Sequence, residues 1–244
     1  MVGPFVSSEQ DDGRPPARRS AAARLPALVM LVGLGALLAL TGCGGSDDSS
    51  GAAVVRNPGG MAYTPTQDTD GFRGVGLPRP YKVPDVTLTD TSGKPYNLVD
   101  DTTKPVTLVF FGYTNCPDVC SLVMADMAAA MTQLDPKVAR QVQPLFVTTD
   151  PARDTPAVIR QYIDRFHPSF EGLTGPKSKI RAAAEPLGVP IMGTRRLPSG
   201  GYEVGHGSQI IGVTADDKAP VVWTQGTPVD DLVTDINALV ERQG

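Results

Sequence analysis

The chain has 244 residues, of which 41% are hydrophobic and 20% charged, and a formal net charge of -4. That length holds one ordinary domain plus appendages once the low-complexity ends are set aside. The acidic balance lacks the basic excess of a nucleic-acid binder, so no nucleic acid is expected as a partner.

In chain order, Arg14, Arg18, Arg19 and Arg24 precede an apolar run over 25–40. The run is shorter than the roughly 20 residues that span a bilayer but fits the core of an export signal. An uncleaved membrane anchor is the competing reading. Arg18-Arg19 has flanks that do not suit a twin-arginine signal. The run ends in Leu40-Thr41-Gly42-Cys43, which resembles the lipobox of bacterial lipoproteins, where the cysteine is lipidated and becomes the mature N terminus. Residues 1–42 are therefore expected to be a signal peptide, Cys43 the lipidation site, and the extracytoplasmic face of the cell membrane the location. Residues 44–50 supply a flexible tether. The stretch 46–80 is rich in Gly, Pro, Asp and Thr without periodicity and reads as linker, with a little order near 71–77. The folded domain is expected over 81–244.

That domain opens with alternation over 83–89, turn chemistry over 90–94 and a return over 96–99, an N-terminal β-hairpin. A β-branched and aromatic run from Val106 ends at Gly112, a polar turn follows, and a helical pattern covers 121–134. Cys116 and Cys120 sit at this strand–loop–helix junction, so both sulfurs can face one point. Unpaired N–H groups and the positive dipole end of the helix favour thiolate there, which suits the pair to copper, redox chemistry, or both. Beyond it come a buried strand over 142–149, a helix over 157–166 with Asp154 as N-cap and Pro156 in its first turn, and a helix over 177–187. Strands over 209–214 and 220–225 and a closing helix over 229–241 complete the chain. The class is α/β. A βαβ unit followed by a hairpin and a terminal helix is the order of a thioredoxin-like mixed sheet flanked by helices.

The chain has three cysteines. If Cys43 carries lipid, Cys116 and Cys120 remain as a lone close pair, which in an oxidising compartment points to function. A disulfide across one helical turn closes too short a loop to add much stability.

Phe111-Gly112-Tyr113-Thr114 before Cys116-Pro117-Asp118-Val119-Cys120, then Asp150-Pro151-Ala152-Arg153-Asp154-Thr155-Pro156, form the first half of a longer signature. Phe166-His167-Pro168 with Gly172-Leu173-Thr174-Gly175, and Val204-Gly205-His206-Gly207, form the second. Together, in this order, they resemble the Sco/SenC family, from about residue 82 to the end. The resemblance implies a membrane-tethered, thioredoxin-like protein that delivers copper to the binuclear copper centre of cytochrome c oxidase subunit II. It places the metal ligands on Cys116, Cys120 and His206, and oxidation is expected to join Cys116 to Cys120. Two thiolates and an imidazole form a soft, low-coordinate set for Cu(I) that also holds Cu(II), whereas zinc ordinarily takes a fourth ligand. Gly205 stands where the family usually has Asp, Gly207 where Ser is common, and Ser121 where proline is frequent. The Gly-His-Gly setting predicts a mobile His206 loop.

His206 is one of two histidines and the default imidazole. His167, before Pro168, reads as structural or solvated. Met124, Met127 and Met131 recur at helical spacing and read as a core face before a copper relay. Met192 is uncommitted. Asp150 ends a buried strand near the cysteine loop, where it would tune a thiol or orient the site, and Arg153 reads as a structural ion pair. Two function classes follow. One is a metallochaperone that turns over no substrate. The other is a thiol–disulfide oxidoreductase with Cys116 as nucleophile and Cys120 as resolving thiol. The three-residue spacer and the histidine favour copper. A peroxidase of the same fold would need a catalytic setting around one cysteine, and none is identifiable.

Overall fold

The computed structural model describes residues 71–244 except residue 199, together with two short strands, β1 (Val55–Arg56) and β2 (Ala62–Tyr63), which pair antiparallel. The expected signal peptide and Cys43 lie outside the described residues.

The central sheet contains β3 (Val75–Lys82), β4 (Thr87–Asp90), β5 (Pro95–Asn97), β6 (Val106–Gly112), β7 (Val142–Thr148), β8 (Glu171–Thr174), β11 (Ile210–Thr214) and β12 (Lys218–Trp223). Its order is β3-β12-β11-β6-β7-β8-β4-β5. β6–β7 and β7–β8 are parallel and the remaining pairs antiparallel. Every residue of β6 is buried, as befits a central strand covered on both faces. Its side chains alternate. Val106, Leu108 and Phe110 join the core under α1 (Cys120–Gln133), α3 (Pro156–Ile163) and α5 (Val229–Glu241). Val109 and Phe111 join a second core under α4 (Lys177–Ala184) and its 3₁₀ extension Glu185–Leu187. This is the expected thioredoxin-like layering. A short α2 (Pro136–Ala139), capped by the Asp135 carboxylate, links α1 to β7.

The N-terminal hairpin is β4–β5, with the Asp90 carboxylate accepting the Ser92 and Lys94 N–H groups at 2.8 Å. Three features depart from the sequence reading. First, ordered structure precedes residue 81. Phe72 is core, β3 is an edge strand on β12, and the buried Asp235 carboxylate accepts from Arg73 N–H (2.7 Å), Gly74 N–H (2.8 Å) and Trp223 Nε1–H (2.7 Å). The acceptor lies 162 residues from Arg73, out of reach of local pattern. Second, Asp154 does not cap α3. Thr155 does, its side chain accepting from Val158 N–H, while Asp154 turns inward and is fully buried. Third, a separate antiparallel hairpin of β9 (Ile191–Arg196) and β10 (Tyr202–His206) precedes β11. Glycines on both sides of its turn disguised it as loop. His206 is thus the last residue of a paired strand, opposite Ile191, and not part of a free loop.

Candidate metal centre

Tyr113 follows β6, and its carbonyl accepts the Cys116 N–H at 3.2 Å, which closes the turn into α1. α1 begins at Cys120 with no side-chain cap and no acidic residue in its first turn. The Cys116 sulfur accepts from the N–H of Cys120, the first of the helix, and from that of Asp118 in the turn before it. Cys116 is half-buried and Cys120 fully buried, and both are free thiols.

The imidazole arrives from β10. Cys120 Sγ stands 3.6 Å from His206 Nε2. His206 Nδ1 lies 2.7 Å from the Gly207 carbonyl oxygen, which can only accept, so Nδ1 carries a proton and Nε2 is the nitrogen free to face the sulfurs. The ring stands edge-on to Tyr113 at 5.7 Å and to Phe110 at 6.3 Å between centroids. Aromatic walls and the hydrogen bond to Gly207 thus hold the imidazole. A Cβ at Gly205 would stand 3.1 Å from Met192 Cβ and Cε, so a side chain there presses on Met192.

The thiols share one proton unequally. The hydrogen bond from the Cys120 thiol, then the adjacent His206 ring and the N–H groups of Asp118 and Cys120, bring the Cys116 thiol from 9.0 down to about 3 against its burial. The same bond, with burial, drives Cys120 upward. Burial, with the adjacent sulfurs, pushes the Tyr113 phenol up to about 12. Among the described residues no three His, Cys, Asp or Glu side chains yet stand in metal-holding geometry. Binding of a soft ion here would require loss of the Cys120 proton, and Cys116, Cys120 and His206 would be the residues to hold it.

Cys116, Cys120 and His206, predicted from the sequence as ligands, therefore converge. Met124, Met127 and Met131 are buried core, as their spacing implied. His167 Nδ1 is engaged by Ser169, which fits its structural reading. Met192 is 61% exposed on β9. Asp150 touches neither sulfur in the hydrogen-bond network; its carboxylate accepts from the Tyr202 hydroxyl at 2.9 Å and pairs with Arg153 Nε. Arg153 also stacks on the Tyr202 ring at 3.7 Å. Asp154, read from the sequence as a cap, instead accepts from Thr114 N–H (3.0 Å), Thr114 Oγ1 (2.6 Å) and Thr148 Oγ1 (2.6 Å). Tyr113, Phe110 and Tyr202 went unassigned in the sequence; the 150–156 motif was the signal that could have led to them.

The SCO1/SenC family model matches residues 78–241. The mitochondrial SCO2 protein of Saccharomyces cerevisiae is 35% identical over 124 residues, 47% of this chain and 41% of the relative, so this chain spans less than half that relative's length. The solution structure of apo Sco1 from Thermus thermophilus has a TM-score of 0.61 and 35% identity, covering 69% of this chain and 96% of its own. The copper-bound structure of ScoI from Bradyrhizobium japonicum has a TM-score of 0.56 and 28% identity, covering 68% of this chain and 99% of its own. The family match takes in every element that builds the centre, and the chain belongs to the SCO1/SenC family.

Proposed function

We propose that the protein is a copper metallochaperone, tethered to the extracytoplasmic face of the cell membrane through lipidated Cys43. In this reading it carries copper on Cys116, Cys120 and His206 and hands it to the binuclear copper centre of cytochrome c oxidase subunit II. The observation that carries the reading is the approach of Cys120 Sγ to His206 Nε2 at 3.6 Å, with Nδ1 already committed to Gly207. Two sulfurs and one imidazole nitrogen are a donor set for Cu(I) that tolerates Cu(II). Copper is cargo, not a resident cofactor. Cys116 and His206 are half-buried and Cys120 is fully buried, so a recipient ligand would reach copper from the Cys116 and His206 side. Support comes from the copper held by the Bradyrhizobium relative and from the Sco family's description as cytochrome c oxidase assembly proteins.

The thiol–disulfide alternative would draw on the half-buried Cys116 thiol as nucleophile beside the fully buried Cys120. It has no need of His206 as a ligand. Copper titration with metal analysis of the wild type and of His206→Ala separates the two. The chaperone reading expects one copper per chain, a loss of Cu(II) binding and a Cu(I) affinity weakened by roughly tenfold or less in the variant, with thiol exchange intact. Full binding of both oxidation states by His206→Ala, with normal oxidase assembly in cells, would overturn it.

A further inference from the structure

Both halves of the centre are tied to a single turn of chain. After β7, the Arg153 and Asp154 N–H groups donate to the Asp150 carbonyl at 3.1 and 3.0 Å, which closes one helical turn. Both carboxylates on this turn are buried, Asp150 at 1% and Asp154 at 0% exposure, and burial of a carboxylate is tolerated only where donors meet it.

The donors come from different sides of the centre. Asp154 is met by the N–H and hydroxyl of Thr114, two residues ahead of Cys116 in the thiol loop. Asp150 is met by the hydroxyl of Tyr202 on β10. One residue of β10, Gly205, faces two of β9, Met192 and Gly193, so the bulge falls in β9 and β10 keeps its alternation. Tyr202, Val204 and His206 therefore share one face, with Val204 in the core between them. Arg153 lies over the Tyr202 ring and reaches the Tyr113 ring at 5.6 Å, and Tyr113 walls His206.

Resting on the copper-ligand reading above, we propose that the Asp150–Asp154 turn is the positioning element of the centre. Asp154 sets the loop that carries Cys116, and Asp150, through Tyr202, sets the strand that carries His206. Neither carboxylate need touch the ion. The turn fixes the distance between the thiol loop and the imidazole, where Cys120 and His206 lie 86 residues apart in sequence.

Tyr202→Phe tests the imidazole side, because it removes the hydroxyl held by Asp150 and keeps the ring on Arg153. The nuclear Overhauser contact between the His206 and Tyr113 rings in the metal-free protein should weaken. Cu(II) affinity, read by competition and by the thiolate-to-copper charge-transfer band, should fall about fivefold to tenfold, the loss of one hydrogen bond. In a His206→Ala background, Tyr202→Phe should change the remaining Cu(I) affinity by less than about twofold, because Tyr202 acts through the imidazole. Thr114→Val tests the thiol side. It should weaken Cu(I), and do so with or without His206. Unchanged ring contact and Cu(II) affinity in Tyr202→Phe would overturn the proposal, as would an equal effect of that substitution with and without His206. If His206→Ala alone left Cu(II) binding intact, the ligand reading would fall, while the ring contact in the metal-free protein would still decide the positioning role.

Discussion

Cys120→Ala isolates the interaction that contributes most to the acidity of Cys116. The Cys120 thiol is the leading donor to the Cys116 sulfur, ahead of His206 and the N–H groups of Asp118 and Cys120, and the substitution removes it while leaving those backbone donors. A hydrogen bond to a charged acceptor is worth about 1.5–3 kcal/mol, and one pK unit is about 1.4 kcal/mol, so the Cys116 midpoint should rise by about one to two units from its value of about 3. Cys116 is half-buried, and water replaces part of the lost donor, which favours the lower figure. The assay is the pH dependence of Cys116 alkylation together with thiolate absorbance, and Cys120→Ser, which restores a donor, should recover part of the shift. Between about 3 and 9.0 the unfolded chain holds a proton on Cys116 that the folded chain has released, so this group's stabilisation is present above that window and is lost as pH falls through it. Cys120 acts in the opposite sense: its stabilisation is present below its unfolded value of 9.0 and is lost at alkaline pH. A wild-type midpoint in the ordinary thiol range, or one that Cys120→Ala does not move, would refute the shared-proton account.

Asp235→Ala strips the acceptor from Arg73 N–H, Gly74 N–H and Trp223 Nε1–H. At about 1 kcal/mol for each donor it should destabilise the chain by about 3 kcal/mol in urea unfolding, followed by the fluorescence of Trp223; a loss under about 1 kcal/mol would mean that water serves as well. Oxidation should join Cys116 to Cys120 and abolish copper binding, because a disulfide no longer offers thiolate donors; stoichiometric copper on protein shown by mass spectrometry to be oxidised would reject this. Cys43→Ala should leave an unlipidated precursor with altered membrane association, and a wild-type mature N terminus without lipid would rule out the proposed anchor.

What the sequence determined by itself was local. The buried run before Gly112, the helical spacing after Cys120, the closing helix Val229–Glu241 and the strand–loop–helix setting of the two thiols are written in contiguous residues, because periodicity and turn chemistry act over a few positions. The order of motifs also pointed to His206 as the proposed third ligand. Tertiary structure decided what depends on partners distant in sequence. The segment ahead of residue 81 joins the sheet because Asp235 supplies the acceptor that its glycine- and proline-rich composition conceals. His206 is held by β9, Tyr113 and Phe110, since its Gly-His-Gly neighbours offer no side chain to fix it. Asp154 is a cap in any local reading, yet three donors from Thr114 and Thr148 outcompete the end of one short helix and draw its carboxylate inward. Cys116 and His206 are ordinary residues in sequence; the acidity of Cys116 comes from the Cys120 thiol and the N–H groups folded around it, and the imidazole meets Cys120 only once β10 lies against the start of α1.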